Sequence, residues 1–164
     1  KIEKKSDPAY KLFRDKLLEL MIHLAKLIVS DGEGASKFIE YEVTKAKNEE
    51  TARKLVRAIS DSTLVKTAMF GRDPNWGRII SACGNAGVNF NYKKVSLYLG
   101  GQNNKVLVLE KGKPVDFDRN YMKKLLRESH LGIRLELHNG NASALGWGSD
   151  MTTDYVLFNS VYTT

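Results

Sequence analysis

Apolar residues recur at three- and four-residue spacing from Phe13 through Leu17, Leu20 and Leu24 to Ile28, and a second row of Met21, Ala25 and Val29 widens the stripe. That period predicts an amphipathic helix. Ser6-Asp7-Pro8 offers a start, a capping side chain followed by proline at the first helical position. Asp31-Gly32 offers the end. His23 falls within the apolar surface and is expected there as a satisfied, partly buried histidine rather than a ligand. The period then changes. Ile39, Tyr41 and Val43 alternate with Glu40, Glu42 and Thr44, as on a half-buried strand. Asn48-Glu49-Glu50 opens a second helix running to about Ser60, with Ala52, Leu55, Val56 and Ile59 facing inward.

Beyond a loop from Gly71 to Gly77, Ile79, Ile80 and Cys83 predict a short third helix. Val95, Leu97 and Leu99 predict a strand ended by Gly100-Gly101. Val106 to Leu109 predicts another, ended by Lys111-Gly112-Lys113-Pro114. Asp118 caps a helix containing Tyr121, Met122, Leu125 and Leu126. Ile133, Leu135 and Leu137 form a strand, Asn139-Gly140-Asn141 a turn, and a strand through Trp147 leads to a final helix from about Thr153. The pattern thus predicts about five helices and five strands, interleaved, without repeat, linker or low-complexity segment. Clean alternation in several strands implies a sheet covered on one face. The expected fold is a single α/β unit over residues 1–164, with a mixed, largely antiparallel sheet packed with helices.

Composition narrows the class. The longest apolar run, Leu17 to Val29, is broken by Glu19, His23 and Lys26, so no segment predicts a membrane span. A single cysteine, Cys83, excludes an internal disulfide and fits a reducing, cytoplasmic setting. Its small neighbours Ser81, Ala82 and Gly84 favour a packing role over a reactive thiol. A formal charge of +7 and a pI near 9.4 raise a nucleic-acid reading. The lysines are dispersed and no aromatic-basic signature of an RNA-binding sheet is present, so no nucleic-acid partner is expected. His23, His130 and His138 lack ligand spacing with one another or with Cys83, so no metal is expected.

Three stretches are too rich in Gly, Trp, Asp and Asn for core or ordinary loop: Asp31-Gly-Glu-Gly-Ala-Ser-Lys37, Thr67-Ala-Met-Phe-Gly-Arg-Asp-Pro-Asn-Trp-Gly-Arg78, and Gly146-Trp-Gly-Ser-Asp-Met-Thr-Thr-Asp-Tyr-Val156. In the first, glycines on both sides hold Glu33 in a turn, where its carboxylate is available to an amine; a helix-ending turn with a solvated glutamate reads the same. In the second, Asp73 or Asn75 caps a helix, and Arg78 is free to pair with a carboxylate of a ligand or partner. A tight turn plugged by Trp76 is the alternative. In the third, Asp150 is expected to precede and cap the final helix, with Asp154 four residues on.

Taken in this order, the three motifs and the Tyr162-Thr-Thr164 end resemble the C-terminal (β) chain of the ornithine acetyltransferase / glutamate N-acetyltransferase family of arginine biosynthesis. The resemblance covers nearly the whole chain. It implies part of a two-chain, self-processed acetyltransferase fold, in which a precursor cuts itself before a threonine. That threonine, the new N-terminus of the β chain, takes the acetyl group from N-acetylornithine and passes it to glutamate, and some members also use acetyl-CoA. No cofactor is implied. The oxyanion donors lie on an α chain from the same precursor, and an α2β2 heterotetramer is the implied assembly.

Substrate-binding positions carried over from the family are Glu33, Asn159 and Thr164. The nucleophilic threonine would lie upstream, because this sequence opens at Lys1 and resembles a β chain without its front. Ser36 and Ser149 stand where Thr and Cys are frequent in the family. The segment Asn159 to Thr164 is expected to be ordered, with Phe158 and Tyr162 as anchors and Thr164 turned into the active-site cleft. Two other classes remain open: a basic, non-catalytic α/β module binding nucleic acid or a protein, and a different self-processing hydrolase of similar fold.

Overall fold

Both changes of period become structure. A computed structural model describes residues 2–161. Helix α1 (Pro8–Ser30) starts where Asp7 accepts from the Ala9 N–H at 2.8 Å, with Pro8 at the first helical position. Strand β1 (Phe38–Ala46) follows, then α2 (Glu49–Asp61), capped by Asn48 through the Thr51 N–H at 2.8 Å. The rest of the chain forms α3 (Thr63–Phe70), α4 (Trp76–Gly84), a 3-10 turn (Tyr92–Lys94), β2 (Ser96–Gly101), β3 (Lys105–Glu110), β4 (Lys113–Pro114), α5 (Arg119–Leu125), β5 (His130–Glu136), β6 (Ala142–Ser149) and α6 (Thr153–Val161).

One six-stranded sheet runs in the order β4-β3-β2-β5-β1-β6. β1 lies parallel to β5 and every other neighbouring pair is antiparallel, so the sheet is mixed and largely antiparallel, as expected. The register stacks Val43, Leu135 and Leu97 in one row and Tyr41, Ile133 and Leu99 in the next. All six are buried, and α2, α3 and α4 bring Leu55, Ile59, Val65, Met69, Ile79 and Cys83 into the same core. Burying each such side chain contributes about 1.5–3 kcal/mol. Cys83 is therefore a packing residue, and burial pushes its thiol up to about 12.

The opposite face of β1 and its neighbours is polar: Glu42 pairs with Arg134, Lys45 with Glu136 at 2.6 Å, and Glu40 accepts from the Trp147 indole N–H at 3.2 Å. α1 lies on this side, against β6, with the Lys26 ammonium 4.9 Å from the centre of the Trp147 ring.

Two differences from the sequence pattern concern element count and the direction of α1. The described residues form six α-helices and six strands. The additions are α3, which sits inside a stretch that reads as loop and motif, and the two-residue β4, which closes a hairpin on β3. The larger difference is that no residue of α1 is buried. Phe13, Leu20 and Ile28 are 57%, 52% and 74% exposed. His23 is exposed as well, not part of a packed surface. The stripe is real, but among the described residues nothing buries it.

Candidate active site

The site forms where the end of α1 meets the start of α6. α1 stops at Asp31, whose N–H donates to the Leu27 carbonyl at 2.9 Å. Gly32, Glu33 and Gly34 then turn the chain toward β1. Gly34 has φ +68, and a Cβ there would stand 2.6 Å from the Tyr155 nitrogen. Its missing side chain therefore lets α6 sit against the turn, a packing need rather than an approach to ligand. Glu33 remains exposed at the tip.

Asp150 and Thr152 knit the two segments together. The Asp150 carboxylate, 4% exposed, accepts from the Ser36 N–H at 2.9 Å, the Lys37 N–H at 3.0 Å and the Ser36 hydroxyl. Three donors on one carboxylate compensate for its removal from water. The expectation that Asp150 caps α6 is corrected: it holds the start of β1 instead. Thr152 caps α6, accepting from the Tyr155 N–H at 3.0 Å while its hydroxyl donates to the Gly34 carbonyl at 2.6 Å. Threonine is a favoured residue at a helix N-cap, and Asp154 is acidic in the first turn, so Thr152 was open to the sequence reading that missed it.

α6 then carries Asn159 back over the turn. Its side-chain amide donates to the Tyr155 carbonyl at 2.9 Å and to a Glu33 carboxylate oxygen at 3.4 Å. Two of the three family-matched positions, 126 residues apart, thus meet. The third, Thr164, lies outside the described residues, as does the expected anchor Tyr162. Phe158, the other expected anchor, is 49% exposed.

Beneath Glu33 is a hollow of about 100 Å³, walled also by Lys66, Ser149, Asp150, Met151 and Tyr155. Lys66 belongs to α3, held beside this loop by the Met151 N–H, which donates to its carbonyl at 3.3 Å. Nearby, Lys37 is buried and its ammonium donates to the Glu128 carbonyl at 3.0 Å. Its pKa is lowered, first by burial and further by the Arg72 charge, with Asp150 opposing. Sequence reasoning did not single out Lys66, because α3 was not foreseen.

The Gly71–Gly77 stretch serves structure. Asn75 caps α4, accepting from the Arg78 N–H at 3.1 Å. The Arg78 guanidinium donates to the Leu64 carbonyl at 3.0 Å and to the Thr67 hydroxyl at 3.4 Å, tying α4 to α3 rather than meeting a carboxylate. Trp76 packs on the core, which favours the plugged turn. A larger hollow, about 370 Å³, lies between this loop and Phe117, and shares no wall residue with the one beside Glu33. The smaller one is the better site candidate, because its wall includes Glu33, the carboxylate that Asn159 meets. Among the described residues, no group of three or more His, Cys, Asp or Glu side chains is placed to hold a metal ion. No helix there is long and apolar enough to cross a membrane.

An α/β chain in which the turn after α1 meets α6 at a carboxylate–amide pair has close counterparts. The ArgJ family model matches residues 1–164, and the chain belongs to that family. The arginine biosynthesis bifunctional protein ArgJ of Staphylococcus epidermidis is 43% identical over 163 residues, 99% of this chain and 40% of that protein. The protein of the same name from Symbiobacterium thermophilum is 43% identical over 155 residues, 94% of this chain and 38% of its own length. The crystal structure of arginine biosynthesis bifunctional protein ArgJ from Bacillus halodurans superposes with a TM-score of 0.90 at 36% identity, covering 99% of this chain and 75% of that one. The chain thus spans about two fifths of the curated relatives it matches.

Proposed function

We propose that this chain is the major part of the β chain of an acetyltransferase that moves the acetyl group of N-acetylornithine to glutamate. The observation that carries the reading is the meeting of Glu33 and Asn159 beside a small hollow, at the motifs on which the family resemblance rests. The nucleophile is a threonine outside this sequence. Its hydroxyl adds to the acetyl carbonyl, the carbon–nitrogen bond of the donor breaks, and the leaving amine takes a proton. The glutamate amine then attacks the threonyl ester and restores the hydroxyl, so one difficult transfer becomes two easier ones. Glu33 supplies the counter-charge for a substrate ammonium, and Asn159 orients that carboxylate with its amide N–H groups and leaves its amide oxygen to accept from substrate.

The same reading accounts for the bare helices. An α chain from the same precursor covers the apolar rows of α1 and α6, and two such pairs form an α2β2 heterotetramer in the cytoplasm. Exposed apolar surface on this scale marks an interface rather than a solvated face.

The test is acetyl transfer from N-acetylornithine to glutamate by the full-length protein, with mass spectrometry of the acetylated threonine peptide. Glu33→Ala and Asn159→Ala should each lower kcat/KM by an amount equal to about 1.5–3 kcal/mol for Glu33, less for Asn159, with the fold intact. Unchanged kcat/KM for both substrates would return Glu33 to a helix-ending turn.

A further inference from the structure

We propose that Lys66 binds the α-carboxylate of the amino-acid substrate, forming with Glu33 a two-charge clamp on a zwitterion. The inference rests on the acetyl-transfer reading of this site and names a residue that reading does not contain.

Glu33 and Lys66 line the same hollow, yet they form no ion pair with each other. The Lys66 ammonium makes no hydrogen bond or ion pair elsewhere among the described residues, although the side chain is half-buried. The other carboxylate at the hollow, Asp150, is not a free partner, because Ser36 and Lys37 occupy it with three donors. A lysine and a glutamate that wall one small hollow without pairing suit a ligand that carries both signs. A molecule with an ammonium for Glu33 and a carboxylate for Lys66 gives each a partner and leaves neither charge unmatched. The volume, about 100 Å³, admits the head group of an amino acid, not a whole cofactor. An α-carboxylate is the charged group that donor and acceptor share, so one lysine serves both half-reactions. Lys66 is also fixed in place: it sits on α3, tied to the Asp150–Thr152 loop through its own carbonyl and to α4 through Arg78.

The experiment uses the full-length protein with Lys66→Met and Lys66→Arg. Acceptors are glutamate and its α-carboxamide, whose α-carboxylate alone is neutralised. Lys66→Met should lower kcat/KM for glutamate roughly 10- to 100-fold and leave the α-carboxamide nearly unchanged, while Lys66→Arg keeps part of the activity. If both acceptors suffer equally, or neither does, Lys66 does not bind the α-carboxylate and the proposal falls. If Lys66→Met does not fold, Lys66→Gln carries the same comparison. Calorimetry with glutamate and ornithine separates the two readings. Binding by wild type without acetyl transfer sinks the transferase reading alone, and weaker binding by Lys66→Met then still supports the clamp. No binding of either amino acid by wild type overturns both.

Discussion

The sheet and its helical cover differ in kind from the two helices at the ends of the chain. Rows of Val, Leu and Ile from β1, β5 and β2 are sealed by α2, α3 and α4, and residues such as Leu55, Leu97 and Leu99 are wholly buried. α1 and α6 have no buried residue at all, although their sequences are as apolar. The candidate site stands where these two helices meet the edge of the sheet, at Glu33 and Asn159. One region is complete in itself, and the other presents chemistry on surfaces that the described residues leave open. Local stability and functional position are thus separated along the molecule, as low-stability ends commonly carry sites.

The sharpest way to break that contrast is to damage the sealed region. Leu99→Ala should cost about 2–5 kcal/mol in denaturant unfolding, since Leu99 packs in the row with Ile133 and Tyr41 and little can collapse into the gap. A loss below half the lower figure would show that the sheet is less tightly packed than its burial implies.

Gly34→Ala attacks the joint between the regions. Alanine at φ +68 is strained, and its Cβ would press on the backbone at Tyr155, so α6 must shift. The stability cost should stay near 1–3 kcal/mol, because α6 buries nothing in the core. Asn159 would move off Glu33, so the main effect should be in KM for amino-acid substrates. A full-length Gly34→Ala protein with wild-type KM would disconnect α6 from the site.

Most of the sealed region was legible before the structure. β1, α2 and its inward residues, the Asp118 cap and the alternation in β2, β3 and β5 follow from period and caps, which are local signals. The parallel pairing of β1 with β5 was not, since it joins Phe38 to His130 across most of the chain and no periodicity records it. α3 was hidden because Thr63–Phe70 runs straight from the end of α2 into a Gly-Arg-Asp-Pro motif, with only the Ser62 cap to mark its start. At the site, Glu33 and Asn159 came from family motifs and the Thr152 cap was a local signal left unread, whereas Asp150 and Lys66 owe their roles to a loop crossing that only the fold creates. The stripe of α1 was read correctly as apolar, but a stripe states that a face must be covered and not by what.

Alkaline pH probes the sealed region more gently. Burial raises the Cys83 thiol to about 12, and it raises the Tyr41 phenol as well. Below about 8.5, the thiol is protonated in folded and unfolded chains alike and contributes nothing. Above it, the unfolded chain releases the proton while the native state retains it, so native stability falls as pH rises, until the folded thiol itself titrates. The slope from this one group is about 1.4 kcal/mol per pH unit. Unfolding midpoints at pH 8 and pH 10 should therefore diverge in the wild type and less so in Cys83→Ala. Equal divergence would mean that Cys83 is not sealed from water.

The smallest expected effect lies on the open side. Leu20→Ala removes a side chain that is 52% exposed on a helix with nothing buried. In this chain by itself the change should stay within about 0.5 kcal/mol, against the several kcal/mol expected for Leu99. In the full-length protein the same substitution should cost more, because the proposed α chain would cover the stripe and turn an exposed leucine into a packed one. Comparing Leu20→Ala in the two contexts thus tests whether α1 is covered. A cost that remains negligible in the full-length protein would leave the stripe uncovered there too, and would remove the main structural support for α-chain packing on this face.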